Sequence, residues 1–440
     1  MSAEMIAFLM VGLLITFIIM GYPIAFVLGG LATIFGLIFI GPQIGSMFML
    51  RVFGIASDYI LIAIPLFVFM GVVIEKSGLA TRLYEAMHVI LGGLRGGLAL
   101  ATVIACTIFA AATGVIGASV VTMGLLALPA MLKYKYDKSL ATGSICAAGT
   151  LGILIPPSVL ILIYAPLAGL SVGEMYMAAF IPGILLSVLY LIYIAVRCFL
   201  RPQDGPAMPA KELAGYTLGR KLTMLATSVL PVTVLILAVL GSIFFGLAAP
   251  TEAAGIGAFA SLLLALAYKS LNRENLKTIV YSTMTITCMI YLVMMGASFF
   301  STVFLRLGGG GVVTNLVLGL PLPDWGIVLA MFIIVFIMGA FIDWIGVLMI
   351  AVPLFTPIAA GLGLNPLWFG MMLVVVMQTS FLTPPFAYAI FYLKGIAPPE
   401  VETMHIYRGI IPFIMLQLLG IALCAIFPQL ILWLPSLMER

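Results

Sequence analysis

Long apolar runs separated by short polar segments make up almost the whole chain. Residues 201–221 are clearly polar, and they separate an apolar first half, residues 1–200, from an apolar second half, residues 222–440. A helix needs about 20 apolar residues to cross the hydrocarbon core of a bilayer. The pattern therefore predicts an all-α polytopic membrane protein with roughly a dozen membrane-crossing segments and a linker in the middle.

The two halves share a spaced set of residues, which indicates an internal repeat. Four pairs of identical residues are separated by 228 positions: Pro129 and Pro357, Pro156 and Pro384, Pro157 and Pro385, Tyr164 and Tyr392. Further upstream, Pro23 and Gly30 recur after 227 positions as Pro250 and Gly257. Internal repeats of this kind are typical of transporters that bind their solute near the middle of the membrane.

Each half contains one apolar block that is too long for a simple crossing helix. The two blocks are residues 98–131 and 327–359. At ~1.5 Å per residue, such a block would extend for about 50 Å as a helix. Small or polar residues occupy the centre of each block, at 113–119 and 339–343. We therefore predict two re-entrant helical hairpins, at about 95–134 and about 324–361, each with a non-helical tip. A single tilted helix whose glycines pack against a neighbour is the alternative.

A helical stretch interrupted by a double proline follows each block. These two stretches, residues 139–170 and 366–396, are predicted to be broken helices, because proline lacks an amide hydrogen and clashes with the preceding turn. A break exposes backbone polar groups, which transporters use to bind ions and substrates. Carbonyl oxygens and nearby hydroxyl oxygens are hard ligands suited to Na⁺, and freed helix N-termini suit a carboxylate. The hydroxyl groups belong to Thr150, Thr379, Ser380 and Thr383.

Asp343 is the carboxylate that lies deep within an apolar block. Ionisable residues inside membrane segments are functional candidates, so Asp343 is a candidate ion ligand. It is also a candidate cap for the second helix of its hairpin, because an aspartate accepts hydrogen bonds from the first backbone amides of a helix. The two roles are compatible, and the sequence leaves both open.

The basic residues predict how the chain is oriented. Short cytoplasmic loops are enriched in Lys and Arg. The ends of the first block carry basic residues, whereas those of the second carry Asp324, so the first hairpin is predicted to open to the cytoplasm and the second to the periplasm. The residues placed on the cytoplasmic side are Arg95, Lys133, Lys135, Lys138, Arg197, Arg201, Lys269, Arg273 and Lys394. The halves are then inverted copies, and residues 201–221 form a cytoplasmic linker.

Composition excludes several classes of function. Hydrophobic residues make up 64% and charged residues 8% of the chain, which rules out a soluble protein. The net charge of +4 is small for this length, so nucleic acid is not an expected partner. The five cysteines have no metal-ligand or redox spacing and are predicted to be small core residues. No nucleotide-binding loop or catalytic constellation argues for an enzyme or for direct coupling to ATP.

Several motifs resemble those of the large membrane subunit of TRAP (tripartite ATP-independent periplasmic) transporters. The matching segments cover nearly the whole chain and are residues 64–71, 77–83, 92–97, 149–158, 171–174, 181–183 and 383–385. The resemblance implies an inverted-repeat, elevator-type transporter with two re-entrant hairpins and two broken helices. It further implies that Na⁺ binds between each hairpin tip and its broken helix, with the substrate between the two sodium sites.

The resemblance also implies candidate residues for each site. The sodium-binding candidates are Thr113, Ser119, Gly149, Thr150 and Gly152 in the first half, and Gly339, Asp343, Ser380 and Thr383 in the second. The substrate-binding candidates are Gly117, Ala118, Pro156, Pro157, Thr379, Pro384 and Pro385. Many family members have a more serine-rich first tip and a glycine at the position of Ser380.

The implied function is Na⁺-coupled uptake of a small organic acid anion across the bacterial inner membrane. The implied partners are a small four-helix membrane subunit and a periplasmic binding protein that delivers the anion. The nearest alternative is a stand-alone Na⁺/dicarboxylate symporter or exchanger with a related elevator fold, which needs no binding protein.

Overall fold

The computed structural model describes residues 1–213, 215–385 and 387–438, and within these ranges the regular structure is entirely helical. The α-helices of the first half are α1 Ala3–Ile19, α2 Ile24–Phe39, α3 Ile44–Ala56, α4 Ala63–Lys76, α5 Leu79–Leu91, α6 Gly97–Thr113, α7 Ile116–Lys133, α8 Lys138–Thr150, α9 Val159–Leu167 and α10 Val172–Leu200. Short 3₁₀ helices lie at Ile60–Ile62, Leu151–Ile153 and Pro435–Leu437.

The second half follows a short helix in the linker, α11 Ala210–Leu213. Its helices are α12 Leu218–Phe244, α13 Pro250–Ala267, α14 Arg273–Arg306, α15 Gly309–Leu318, α16 Asp324–Phe341, α17 Trp344–Gly361, α18 Pro366–Ser380, α19 Tyr388–Ile396, α20 Thr403–Ile426 and α21 Gln429–Leu432. Side-chain caps start several helices where the sequence provides an acceptor, as Asp137 does for α8 and Asn365 for α18.

The helices repeat with the spacing found in the sequence. A shift of α7 by 228 positions gives Trp344–Gly361, the observed bounds of α17, and α8 and α18 begin 228 positions apart. One pair of elements departs from the repeat. In the first half, α3 and the stretch Ile60–Lys76 meet at a bend of 60°, whereas the corresponding part of the second half is the continuous 34-residue α14.

Eight helices in the described ranges are long and apolar enough to cross a membrane, or up to nine if the bent pair is counted as one span. This number is below the roughly dozen crossing segments expected from composition. Part of the difference comes from apolar helices that are shorter than a simple crossing, and two of them, α6 and α18, end at a break. These shorter helices are α1, α2, α6, α15 and α18.

The two halves interleave instead of packing side by side. Helix α8 packs on α20 of the other half, and its counterpart α18 packs on α10. In the same way, α7 packs on α19 and α17 packs on α9. Close approach is possible because α8 and α20 meet at glycines: a Cβ on Gly143 would overlap the carbonyl oxygen of Gly409. The core therefore lies where helices of both halves meet.

The linker packs across one end of this core. Arg197, near the end of α10, donates hydrogen bonds to Asp204 at 2.8 Å and to Asp137 at 3.0 Å. The amide of Gly96 donates to the carbonyl of Gly205 at 2.8 Å. The linker thus joins the start of α6, the start of α8 and the end of α10.

Four of the five cysteines are buried, as the sequence predicted, but Cys288 is exposed. The prediction was wrong for Cys288 because it lies in the first part of α14, where the helix presents one side outward.

Candidate functional site

The first predicted tip is a break between α6 and α7. Helix α6 ends at Thr113 and α7 begins at Ile116, so the block is not one continuous helix. The two helices fold back on each other, because the amide of Leu98, at the start of α6, donates to the Tyr136 hydroxyl beyond the end of α7 at 3.1 Å. Gly114, between them, has a φ of +64°, a conformation that suits glycine.

Two hydroxyl groups face each other inside this tip. The oxygens of Thr113 and Ser119 lie 3.3 Å apart and are buried. Thr113 also donates to the carbonyl of Phe109 at 3.1 Å, and Ser119 donates to the carbonyl of Val115 at 3.2 Å. Each hydroxyl has a single proton. When both protons are used for the carbonyls, the two oxygens direct lone pairs towards each other, an arrangement that suits a shared cation.

The first broken helix packs directly against this tip. A Cβ on Gly152 would lie 3.3 Å from both the Ser119 hydroxyl and the Val115 carbonyl oxygen. A Cβ on Gly114 would lie 2.8 Å from the carbonyl oxygen of Pro157. Residues 150–158 are buried throughout. Glycines on both sides therefore let the tip and the break approach closely, with backbone oxygens near the two hydroxyls.

The second predicted tip is a break between α16 and α17 at Ile342 and Asp343. Asp343 is the N-cap of α17, and its carboxylate accepts from the amide of Ile345 at 3.1 Å and from the Tyr388 hydroxyl at 3.0 Å. The predicted capping role of Asp343 is thus confirmed. The carboxylate oxygens keep further lone pairs, so the capping role leaves them able to bind a cation.

The second broken helix lies against this tip in the same way as the first. Gly339 faces Ser380, whose hydroxyl would overlap a Cβ at position 339. The hydroxyls of Ser380 and Thr379 donate to carbonyls of α18 at 2.6 Å, and that of Thr383 donates to the Thr379 carbonyl at 2.9 Å. Each of these oxygens therefore retains lone pairs for a cation. Unlike the first break, this one is partly open, because Pro384 and Pro385 are exposed.

The two breaks meet at a buried hydrogen bond between repeat-related residues. The side-chain amide of Gln378 donates to the Thr150 hydroxyl at 2.9 Å, and these two positions are 228 residues apart. A residue that contacts its own counterpart must lie near the axis relating two copies. The Thr150 hydroxyl also donates to the carbonyl of Ala147 at 2.8 Å.

A cavity of about 380 Å³ lies between the two tips. The first half contributes Gly114, Val115, Ile116, Gly117, Ile153 and Val159; the second half contributes Asp343, Trp344, Tyr388 and Tyr392. The opposite wall comes from the start of α2 and from residues 286–293 of α14. Among the described residues that line it, Asp343 is the one carboxylate and none is basic. The volume suits a small organic solute.

The predicted site residues occupy different positions relative to this cavity. Asp343 and Gly117 line it. The sodium-binding candidates at the contacts between a tip and its broken helix are Thr113, Ser119, Gly149, Gly152, Gly339 and Ser380. Thr150 lies where the two breaks meet, and Thr383 forms its hydrogen bond within its own broken helix. Ala118, Pro156, Pro157, Thr379, Pro384 and Pro385, which were predicted to bind substrate, are not among its lining residues.

Three aromatic residues at the cavity were missed by the sequence reasoning. Tyr392 lies against Gly117, since a Cβ on that glycine would be 3.1 Å from the ring. Tyr388 contacts Asp343, and Trp344 lines the same wall. A signal existed for Tyr392, which has Tyr164 as its counterpart in the repeat.

Comparisons with known proteins identify the family of the chain. A family described as "Tripartite ATP-independent periplasmic transporter, DctM component" matches residues 11–430. The chain is 31% identical over 388 residues to the C4-dicarboxylate TRAP transporter large permease protein DctM of Pseudomonas aeruginosa, with 88% of each chain covered. It is 29% identical over 382 residues to the ectoine TRAP transporter large permease protein TeaC of Halomonas elongata, with 86% of this chain and 87% of that chain covered.

A third relative is the sialic acid TRAP transporter large permease protein SiaM of Vibrio cholerae, 26% identical over 388 residues with 88% of each chain covered. Among solved structures, the crystal structure of the Alcanivorax borkumensis YdaH transporter matches with a TM-score of 0.59 and 18% identity, and the match covers 89% of each chain. At this level of identity, the structural likeness shows the fold alone.

Proposed function

Because this chain belongs to the DctM family and is the large permease component of a TRAP transporter, we propose that it imports a small organic acid anion together with Na⁺. The resemblance found in the sequence is confirmed at the level of the family. The protein is a multi-pass protein of the bacterial inner membrane, and it is a transport protein rather than an enzyme. The substrate class is supported by relatives named for C4-dicarboxylates and sialic acid.

The observation that carries the proposal is the charge of the cavity between the tips. Its described lining contains the carboxylate of Asp343 and no basic side chain. An organic anion placed there would be repelled by Asp343 at short range. A cation bound next to Asp343 removes this repulsion, so anion and Na⁺ enter the cavity together. Moving them together also avoids the cost of transferring an isolated charge through lipid.

We place one Na⁺ at each contact between a tip and its broken helix. In the first half, the ligands are drawn from the Thr113 and Ser119 hydroxyls and nearby backbone carbonyls. In the second half they are drawn from Asp343, Ser380 and Thr383. Oxygen atoms with lone pairs and no remaining proton to donate support this assignment at both places.

We further propose that transport follows an elevator mechanism. The hairpins and broken helices of both halves interleave, which supports their movement as one unit. Helices α2 and α14, which form the opposite wall of the cavity, belong to the scaffold in this scheme. Basic residues such as Lys133 and Lys138 support an orientation in which the open end of the first hairpin faces the cytoplasm. The first and second hairpins then close the cavity from opposite sides.

The tripartite family implies further components. We propose that a periplasmic binding protein delivers the anion, and that a small four-helix membrane subunit supports the scaffold. A stand-alone Na⁺/dicarboxylate symporter would need neither.

Uptake into proteoliposomes tests the proposal. The chain is reconstituted with its small subunit and binding protein, and the uptake of labelled succinate, sialic acid and ectoine is compared with and without an inward Na⁺ gradient. We expect uptake of at least one solute that requires both Na⁺ and the binding protein. Na⁺-dependent uptake without the binding protein would favour the stand-alone symporter, and uptake indifferent to Na⁺ would overturn the coupling.

A further inference from the structure

A second polar cavity lies at the boundary between scaffold and hairpin helices. Its volume is about 210 Å³. One side consists of residues from α3 and the bend that follows it, including Arg51 and Asp58; the other consists of Ile163 and Pro166 from α9 and Met349 from α17. Helix α14 contributes Met294 and Ser298.

This second cavity continues the first one along the same helices. Helix α9 contributes Val159 to the cavity between the tips and Ile163 to the second cavity, while α14 contributes Ile290 to the first and Met294 to the second. Both steps are four residues, which is about one turn, or roughly 6 Å, along a helix. Helix α17 contributes its first residue, Trp344, to the first cavity and Met349 to the second. All three helices step in the same direction.

That direction leads to the periplasm in the orientation proposed above. Helix α14 runs from Arg273, which was placed in the cytoplasm, to Arg306 at its other end. Helix α17 likewise runs from its tip towards the open end of the second hairpin. A solute that travels from the periplasm to the tips therefore passes the second cavity first.

Arg51 is the notable residue of this cavity. It lies within the bent apolar segment made of Ile44–Ala56 and Ile60–Lys76, which is a candidate membrane span. Charged residues inside such segments are costly, and they commonly face an aqueous cavity or mark a solute pathway. The nearby carboxylate of Asp58 accepts from the amide of Ile60 at 2.9 Å. Arg51 takes part in none of the salt bridges that the described residues form.

We propose that this second cavity is an anion-binding station, where the guanidinium of Arg51 binds the carboxylate or sulfonate group of a solute before it reaches the tips. A planar guanidinium suits such groups because it donates two parallel hydrogen bonds to one oxyanion. The station supplies the positive charge that the cavity between the tips lacks. The idea rests on the proposed transport function and orientation, but its test measures the charge preference of the cavity without transport.

The test places a thiol in the cavity and measures how fast it reacts with reagents of different charge. Ser298→Cys is introduced into the full chain, together with Cys288→Ser, which removes the exposed native thiol; the other four cysteines are buried. Right-side-out membrane vesicles containing the chain and its small subunit are treated with methanethiosulfonate reagents. One reagent carries a sulfonate, one a trimethylammonium group and one a neutral hydroxyl group. The reaction rate with each reagent is measured.

We expect Arg51→Gln to lower the ratio of the sulfonate rate to the trimethylammonium rate by about ten-fold. The sulfonate reagent should react roughly three-fold more slowly and the trimethylammonium reagent roughly three-fold faster. Arg51→Lys keeps the charge and should keep most of the ratio, whereas Asp58→Asn should raise it. The neutral reagent should react at the same rate in all variants, which shows that the cavity itself is intact.

Either of two outcomes would contradict the proposed anion-binding station. One is a ratio that does not change in Arg51→Gln, and the other is a thiol that charged reagents cannot reach from the periplasmic side. The result is separate from the uptake experiment: a charge-selective cavity in a system indifferent to Na⁺ would leave the station standing and remove only the sodium coupling.

Discussion

The two tips share a backbone plan but differ in charge. The first tip presents the hydroxyls of Thr113 and Ser119, and the break beside it is fully buried. The second tip presents the carboxylate of Asp343, and the break beside it is partly open at Pro384 and Pro385. Asp343 stands 228 positions after Val115, so equivalent positions of the repeat carry a charged residue in the second half and an apolar residue in the first.

The proposed sodium sites, here called the first and second pockets, are the contacts between each tip and its broken helix. If both bind Na⁺, they differ in the charge that the protein supplies. The repeat fixes where a helix ends and where glycines allow close approach, but it does not fix the charge at the tip. In the proposed mechanism, Asp343 would neutralise a Na⁺ bound in the second pocket. A Na⁺ in the first pocket has only neutral oxygen ligands from the tip, so we expect it to depend on the substrate's own negative charge. Occupancy of the first pocket should therefore be coupled to the solute more tightly than occupancy of the second.

The largest expected effect follows the removal of the charge at Asp343. In Asp343→Asn, the one side-chain oxygen can still cap α17, because Asn and Asp are comparable caps. The side-chain NH₂ takes the place of the oxygen that faces Tyr388 and can donate to its hydroxyl, so the cap is kept while the charge is removed. We expect Na⁺-driven uptake in proteoliposomes to fall by at least about ten-fold, on the scale of one lost charge interaction, while the melting temperature of the purified protein changes little.

Ser119→Ala in the first pocket is the matched comparison, since it removes a proposed oxygen ligand but no charge. It should weaken uptake less than Asp343→Asn does. Full uptake by Asp343→Asn would contradict the ion-binding role and leave only the confirmed cap.

A second comparison uses one glycine in each pocket. Gly339→Ala would push a methyl group into the Ser380 hydroxyl, whereas the Cβ of Gly152→Ala would lie 3.3 Å from its neighbours, a distance that small shifts can accommodate. Overpacking costs about 1–3 kcal/mol, so we expect Gly339→Ala to lower the melting temperature and the stabilisation by added Na⁺. Gly152→Ala should change both much less.

These glycine variants are measured by thermal unfolding in detergent at increasing Na⁺, with K⁺ replacing Na⁺ as the control for ionic strength. Equal losses in the two variants would show that the pockets tolerate overpacking alike, and would remove this structural distinction between them.

Local chemistry made part of this site predictable from the sequence. The double prolines force helix breaks wherever they occur, and the position of Asp343 before an apolar run is that of a helix cap. Because the two halves repeat with an offset of 228 positions, a feature found in one half could be predicted at the corresponding position of the other. Each of these inferences needs only residues that are close in the sequence or related by one constant offset.

The walls of the cavity were not predictable in this way. Tyr388 reaches Asp343 from 45 positions away, because α19, the second part of the second broken helix, begins beside the tip. Residues 286–293 of α14 line the cavity beside the start of α2, because these two apolar helices pack against each other. The bend after α3, which brings Arg51 and Asp58 to a cavity, has no counterpart in the continuous α14 and carries no proline. Such contacts depend on the packing of distant helices, which hydropathy does not specify.

The smallest expected effect concerns the hydrogen bond between Gln378 and Thr150, where the two breaks meet. Thr150→Val removes the acceptor and leaves the buried amide of Gln378 without it. Hydrogen bonds between membrane helices contribute about 0.6 kcal/mol on average, and up to about 1.7 kcal/mol. A double-mutant cycle with Gln378→Leu, followed by thermal unfolding, should give a coupling energy in this range. Because the pair joins both halves, Thr150→Val should weaken Na⁺ stabilisation in wild-type and Asp343→Asn backgrounds alike. If Na⁺ stabilisation is lost in only one background, the hydrogen bond supports a single pocket and does not couple the two breaks.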